Sequence, residues 1–424
     1  MTRLLDRSAR ALFLRALTGL RHGTLRLITH EGEETFGTGA PSVTLVVRHP
    51  RFFRRAIAGG SIGIGEAWMD GDWDTPDLVA LVTLMLRNAD VLRTASGPLA
   101  WLSSALGNLA RRTRGNTVTG SRRNIHRHYD LGNDLFRLFL DANLLYSCAY
   151  YQTPADSLEV AQMQKLDRIC RKLDLRPGDR VAEIGTGWGG FAVWAAPRYG
   201  CHVTSTTISA EQYAHAQRWV ATLGEAASRI DLRFQDYREF SGQFDKVVSI
   251  EMFEAVGLDH YDEFFTACDR LLVPGGQMLL QTITTDDWRF ASYRAEPDWI
   301  ERYIFPGSEL ASVEAILASM KRTTRLGLFH AENIGVHYAR TLHAWRERFN
   351  ARLDEVRALG YDERFIRMWD LYLAYCEAAF AERHIGTFQL LLTKAGVTTP
   401  LFEEPHQRAS GRITDAVPAP ALVP

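Results

Sequence analysis

The sequence predicts an α/β protein built on a doubly wound, Rossmann-like sheet, and three observations carry that reading. From Arg180 onward strand-like and helical runs follow one another: VAEIG, FAVWAAPRYG, HVTSTTI, SAEQYAHAQRWVATLG, IDLRFQD, FDKVVSIE, DHYDEFFTACDRLL and, after a VPGG turn, QMLLQTIT. Strands alternating with helices are joined by crossovers and lie parallel. Second, Val181 to Gly190 reads VAEIGTGWGG, a short apolar run passing into a glycine-dense turn and then a helix, as in a nucleotide-binding βαβ unit. Third, TFQLLLTK reads as a last strand, so the helix-rich residues 286–385 before it form an insertion, placed to serve as a lid or an apolar substrate cavity.

Ligands of such sheets sit at the carboxyl ends of the strands. Four stretches fall there: Glu183 to Gly189, Thr206 to Ser209, Asp236-Tyr237, and Ile250 to Glu254. Gly185, Gly187 and Gly189 can adopt positive φ and carry no Cβ, which lets the backbone bend sharply and a ligand lie against it. Gly185, Gly187 and Gly190 satisfy G-x-G-x-x-G, but a dinucleotide site also wants an acidic residue ending the second strand, and Thr206 to Ser209 has none. Glu183 would also repel a pyrophosphate, so a cofactor with a cationic group fits better.

The 424 residues are enough for two or three domains, and 46% apolar with 23% charged is ordinary for a globular protein. A net charge of −1 argues against wholesale binding to nucleic acid. Cys148, Cys170, Cys201, Cys268 and Cys376 are scattered and odd in number, which suggests neither a disulfide framework nor a zinc site and fits a reducing cytoplasm. The opening segment is a poor signal peptide, and no run approaches the length of a membrane span.

Residues 3 to about 20 form a basic amphipathic helix pattern, open to two readings: packing on its own domain, or contact with an anionic membrane surface. TLRLIT and SVTLVVRHPRFF read as half-buried strands, and with the helical DLVALVTLML they make a small α+β domain over residues 1–93. Residues 94–127, with Arg111, Arg112, Arg114, Arg122 and Arg123, read as a basic linker. His126 and His128 are read as core or loop residues, since no carboxylate or cysteine cluster accompanies them, and no metal is expected. An aromatic segment follows, then an amphipathic helix over 159–174; the main domain runs from 128 to 395, and the Pro/Ala-rich 396–424 reads as a disordered tail.

The set YSCAYY, EIGTGWGG, TISAEQ, SIEMFEAVG, ERYIFPGSEL and HYARTLHAWRERF resembles the cyclopropane fatty acid synthases, and GSIGIGEAWMDGDWD resembles that family's small amino-terminal domain. The resemblance spans the chain to about residue 395. It implies a class I methyltransferase domain, S-adenosylmethionine as methyl donor, and an unsaturated acyl chain of a phospholipid as acceptor. It further implies peripheral association with the inner membrane face, and it leaves room for a homodimer. On this resemblance Gly185 and Gly187 admit the cofactor, Glu183 orients the loop, Thr207, Ile208 and Gln212 follow the second strand, Asp236 and Tyr237 flank the adenine, and Tyr146 and Ser147 lie over the cofactor. Gln212 as a solvated helix residue and Tyr237 as a core aromatic stay open as alternatives.

Methyl transfer to an alkene leaves a carbocation, and closing a ring needs a base to remove a proton from the new methyl. The family uses a bound bicarbonate ion. The residues matching its site are Cys148, Glu254, Ile283 and Tyr338, with Cys148 and Ile283 acting through backbone groups; an inert buried thiol is the alternative for Cys148. Glu254 is expected to accept a hydrogen bond from bicarbonate or to orient it, and nearby Glu251 can substitute for it or simply start a helix. Two departures stand out: Gln281 where histidine is common, and Ala255 where EHVG is common. Gln281 can donate to an anion but cannot carry a proton. Thr186, where cysteine is frequent, is milder. A methyl- or methylene-branched product is therefore the close rival to a cyclopropane; a small-molecule methyltransferase and an inactive lipid-binding protein are the more distant ones.

Overall fold

The computed structural model describes residues 2–90, 132–295 and 299–396; the basic linker, His126, His128 and nearly all of the tail lie outside these. The described residues form two compact units.

The first unit draws on Met1–Arg114, Ala291–Pro306 and Leu342–His384. Its sheet has the order β2-β1-β3-β4, from β1 (Gly23–Thr29), β2 (Gly32–Thr38), β3 (Ser42–Val47) and β4 (Trp73–Asp74). Helix Thr2–Leu17 buries Ala9, Phe13, Ala16 and Leu17, and the Phe13 ring packs edge-on against Phe52 and Phe53 of helix Arg51–Met69. Leu5 and Leu12 of the same helix are exposed. Gly65 explains part of the glycine-rich GSIGIGEAW: a Cβ there would stand 2.4 Å from Trp299 Nε1. Tyr303 adds a hydrogen bond of 2.6 Å to Glu66, and the Arg367 guanidinium lies 3.8 Å over the Trp68 ring. The expected insertion 286–385 thus divides, with 291–306 and 342–384 in this first unit.

The second unit holds a seven-stranded sheet in the order β10-β11-β9-β8-β5-β6-β7. Its strands are β5 (Arg180–Ile184), β6 (His202–Thr207), β7 (Ile230–Phe234), β8 (Phe244–Ile250), β9 (Leu272–Thr285), β10 (Leu326–Asn333) and β11 (Ile385–Lys394). β5 through β9 pair in parallel, as the alternation predicts, whereas β11 runs antiparallel to both β9 and β10. Side chains alternate across a strand. One core layer therefore takes Ala182, Val247, Leu280 and Leu390, and the other takes Val181, Val248, Leu279 and Leu391. VPGG, expected as a turn, lies inside β9 where its register against β8 shifts. β10 carries no apolar alternation to announce it; only Leu326 is buried, as suits an edge strand.

Candidate active site

The glycine loop follows β5. Gly185, Gly187 and Gly189 all take positive φ, at 98°, 53° and 103°. Gly185 and Gly189 are packing positions as well: a Cβ on Gly185 would stand 2.9 Å from Met252 Cβ, and one on Gly189 would stand 3.1 Å from Ala216 Cβ. A Cβ on Gly187 would meet nothing within 4 Å, so this is the backbone that lies open to a ligand. Glu183 beneath the loop accepts from Ser205 Oγ at 2.5 Å, and Ser205 Oγ is 2.6 Å from Thr186 Oγ1. Burial pushes the Glu183 carboxyl up to about 8, against the pull of the Ser205 hydroxyl and Lys165.

The other expected cofactor residues fall around this loop's unit with definite partners. Thr207 Oγ1 donates to Gln212 Oε1 at 3.1 Å, and both residues are buried, so Gln212 is not a solvated helix residue. Ile208, between Thr207 and the helix cap Ser209, is half-buried. Asp236 takes two hydrogen bonds from the Arg238 guanidinium, at 2.9 and 3.0 Å. Tyr237 is half-buried with its ring edge-on to Phe264, which favours the core-aromatic alternative. Tyr146 packs against Phe136 and Phe139, and Ser147 Oγ accepts from Lys165 Nζ at 2.7 Å. A methyl donor with a sulfonium and an amino-acid end fits an open glycine backbone lined by such hydroxyl and carboxylate groups.

Beside the loop, at the end of β8, stands Glu251, with φ at +49°, a region that side-chain-bearing residues rarely occupy. Its Oε1 accepts from the Cys148 backbone N–H at 2.9 Å and from Gln281 Nε2 at 2.8 Å, and its Oε2 accepts from the Tyr338 hydroxyl at 2.7 Å. Desolvation raises this carboxyl, while the three donors and Lys165 pull it back. Glu254 lies in the turn Phe253–Ala255; its Oε1 accepts from the Ile283 N–H at 2.5 Å and the Thr282 hydroxyl at 3.0 Å. Its Oε2 is shut from solvent with no hydrogen-bond partner, and desolvation, then the neighbouring Glu251 charge, raises the carboxyl to about 7.

The Gln281 amide could be turned either way, but its surroundings fix it. Lysine only donates. Lys172 Nζ donates to Gln389 Oε1 at 2.8 Å, which turns Gln389 Nε2 toward Gln281 Oε1 at 2.9 Å, which in turn points Gln281 Nε2 at Glu251. The row follows sheet register: Glu332 of β10 faces Gln389 of β11, which faces Gln281 of β9, which faces Ile250 of β8. Lys172 also pairs with Glu332 at 2.5 Å, and Arg168 donates to the same carboxylate at 2.6 Å. Burial would raise the Glu332 carboxyl, but those two cations outweigh it and hold it at about 2.

Cys148, Gln281 and Tyr338 therefore converge on one carboxylate, as a catalytic cluster would, while Ile283 meets Glu254 instead. Both Cys148 and Ile283 make these contacts through their backbone N–H groups, to carboxylates of the chain itself; the Cys148 thiol is buried and pushed well up in pKa by that burial. Sequence reading gave Glu251 a minor part and missed Lys165, Lys172 and Gln389. Gln389 carried a usable signal, an amide inside the apolar TFQLLL; the two lysines look like the solvated face of an amphipathic helix, yet both are fully buried.

A profile of the mycolic acid cyclopropane synthetase family matches residues 117–390. The chain belongs to this family. The cyclopropane-fatty-acyl-phospholipid synthase of Escherichia coli is 40% identical over 84% of this chain and 89% of its own length. The tuberculostearic acid methyltransferase of Mycobacterium tuberculosis is 39% identical over 88% of this chain and 89% of its own. Among solved structures, a mycolic acid cyclopropane synthase complexed with SAH superposes with a TM-score of 0.60 at 32% identity, covering 64% of this chain and 98% of that one. Membership of the cyclopropane synthetase family carries the class I methyltransferase fold and the enzyme class, S-adenosylmethionine-dependent C-methyl transfer. Among the described residues no helix is long and apolar enough to cross a membrane, and no group of three or more His, Cys, Asp and Glu could hold a metal ion.

Proposed function

We propose that this enzyme transfers the methyl of S-adenosylmethionine to the cis double bond of a phospholipid acyl chain and closes the product to a cyclopropane. The observation that supports it is a carboxylate, Glu251, held by three donors next to an open glycine loop. The donor would rest against Gly185 and Gly187, with Thr207, Gln212, Asp236 and the Tyr146-Ser147 segment around it; it supplies an electrophilic methyl. The chain's own residues then manage the proton. The bicarbonate implied by the family resemblance is left out of this reading: the Cys148 N–H, Tyr338 hydroxyl and Gln281 amide are given to Glu251, the Ile283 N–H is given to Glu254, and two carboxylates would repel an added anion.

Incubating the protein with methyl-deuterated S-adenosylmethionine and a phospholipid carrying cis-unsaturated chains tests the proposal. The released acyl chains should run chromatographically as cyclopropanes and keep two of the three deuteriums. A branched chain, keeping three deuteriums where the methyl stays intact and two where it has become a methylene, would replace ring closure by the rival product, and no labelled chain at all would end the proposal.

Peripheral membrane contact is supported by the exposed residues of helix Thr2–Leu17, which include the basic Arg7 and Arg15 as well as the apolar Leu5 and Leu12. Arg10 on that helix is engaged with Glu31 and Glu34 and adds less. Anionic vesicles should retain the protein at low salt and release it as salt rises; retention by neutral vesicles alone would contradict this.

A further inference from the structure

We propose that the Glu251 carboxylate is this enzyme's own proton acceptor, standing where an external anion would otherwise bind. This rests on the ring-closing reading above and adds to it the identity of the base.

The donors set around Glu251 are those an anion site needs, one backbone N–H, one phenol and one amide, and all three point at a side chain of the chain itself. Three donors on two oxygens suit the ionised form, which only accepts. The Gln281 donor cannot turn away, because Lys172 dictates its direction through Gln389. Glu251 also keeps a left-handed backbone that glycine would adopt without strain. Strain of this kind persists only where the surroundings over-determine it. Here the gain is a carboxylate placed among the donors. Glu254, next along the turn, keeps an unpartnered oxygen shut from solvent and takes the Ile283 N–H that an external anion would need.

The chemistry balances on this residue. The π pair of the alkene forms a bond to the donor's methyl, the S–CH3 pair leaves with sulfur, and S-adenosylhomocysteine results with a carbocation on the neighbouring chain carbon. A Glu251 oxygen takes a proton from the new methyl, and the C–H pair closes the ring onto the cation. The proton passes to solvent before the next turnover. Tyr338, Gln281 and the Cys148 N–H hold the carboxylate in place, and the residues of the Lys172-Gln389 row are positioning residues.

The test compares ring formation in buffer scrubbed of carbon dioxide with buffer containing added bicarbonate. The wild-type enzyme should form cyclopropane at the same rate in both. Glu251→Gly, which empties the pocket and suits the backbone, should lose about 10³-fold in ring formation in scrubbed buffer, the size of a general-base effect, and regain part of it with bicarbonate. Glu251→Gln, which fills the pocket, should lose as much and regain nothing, while calorimetry with S-adenosylmethionine shows both variants folded and binding. A wild type that stops in scrubbed buffer and restarts with bicarbonate overturns the inference, as does full ring formation by Glu251→Gln. If the wild type transfers no methyl under any condition, the proposed function fails and direct binding still decides on the anion site. Carbon-13 bicarbonate followed by NMR should bind Glu251→Gly and not the wild type; binding to the wild type at this site overturns the inference.

Discussion

The glycine loop after β5 and the carboxylate cluster after β8 are neighbours, Gly185 lying against Met252, yet they are made in different ways. The loop is one continuous stretch whose work is done by backbone that lacks side chains. The cluster gathers Cys148, Glu251, Gln281 and Tyr338 from four separate parts of the chain and relies on the direction of each hydrogen bond. A site for the donor can be made from local geometry alone. A site that decides the fate of a proton needs side chains whose orientation is enforced from outside it, here by a buried lysine two amides away.

The sharpest way to separate the two regions is to damage each alone. Gly187→Val puts a β-branched residue at φ +53° on the open face of the loop, and S-adenosylmethionine affinity should fall by at least about tenfold, or ~1.4 kcal/mol. Calorimetric titration measures it, and Glu251→Gln should leave the same titration unchanged; equal losses in both would mean that loop and cluster are one binding site.

A smaller effect is expected from Gln389→Leu, which removes the link between Lys172 and Gln281. Unpaired buried polar groups cost about 1–3 kcal/mol, to be read as a lower melting temperature. Ring formation should fall about tenfold with KM for S-adenosylmethionine unchanged. Freed from its partner, the Gln281 amide no longer has to donate to Glu251, and losing a donor raises a carboxylate's pKa. The base acts deprotonated, so the acid limb of the pH–rate profile should move to higher pH. A melting shift with an unmoved limb would reduce Gln389 to a structural role.

What was legible in the sequence follows the same division. VAEIGTGWGG announced the loop because positive φ at close spacing demands glycine, and the alternation of strands with helices from β5 to β9 announced the parallel sheet because a helix between two strands is a crossover. The antiparallel β11 was visible as a strand but not in direction, which depends on β10 pairing beyond it, and LGLFHAEN has the polar pattern of an edge. Cys148, Gln281 and Tyr338 entered through family resemblance. Their common partner did not, because the bond from Tyr338 to Glu251 spans 87 positions and no local pattern encodes it.

Glu183 tests the comparison most finely, since it is a buried carboxyl placed under the loop rather than in the cluster. Glu251 has three donors; Glu183 has the Ser205 hydroxyl, and burial raises its carboxyl to about 8. The folded protein therefore holds a proton on Glu183 across a range in which the unfolded chain, with an ordinary value of 4.5, has released it. Where the folded state binds more protons than the unfolded one, stability falls as pH rises. This contribution is fully present below about pH 4.5 and is lost as pH rises through about 8, at a slope of at most ~1.4 kcal/mol per pH unit. Glu254, raised to about 7, and Asp141, raised to about 6, act in the same direction over narrower windows. Glu183→Gln keeps the shape and a polar contact to Ser205 but has no proton to release. Scanning calorimetry of the ligand-free protein between about pH 5 and pH 8 should show a melting temperature that declines less steeply in this variant than in the wild type. Identical slopes would mean that Glu183 is ionised in the fold, held like the cluster carboxylates by partners the loop supplies.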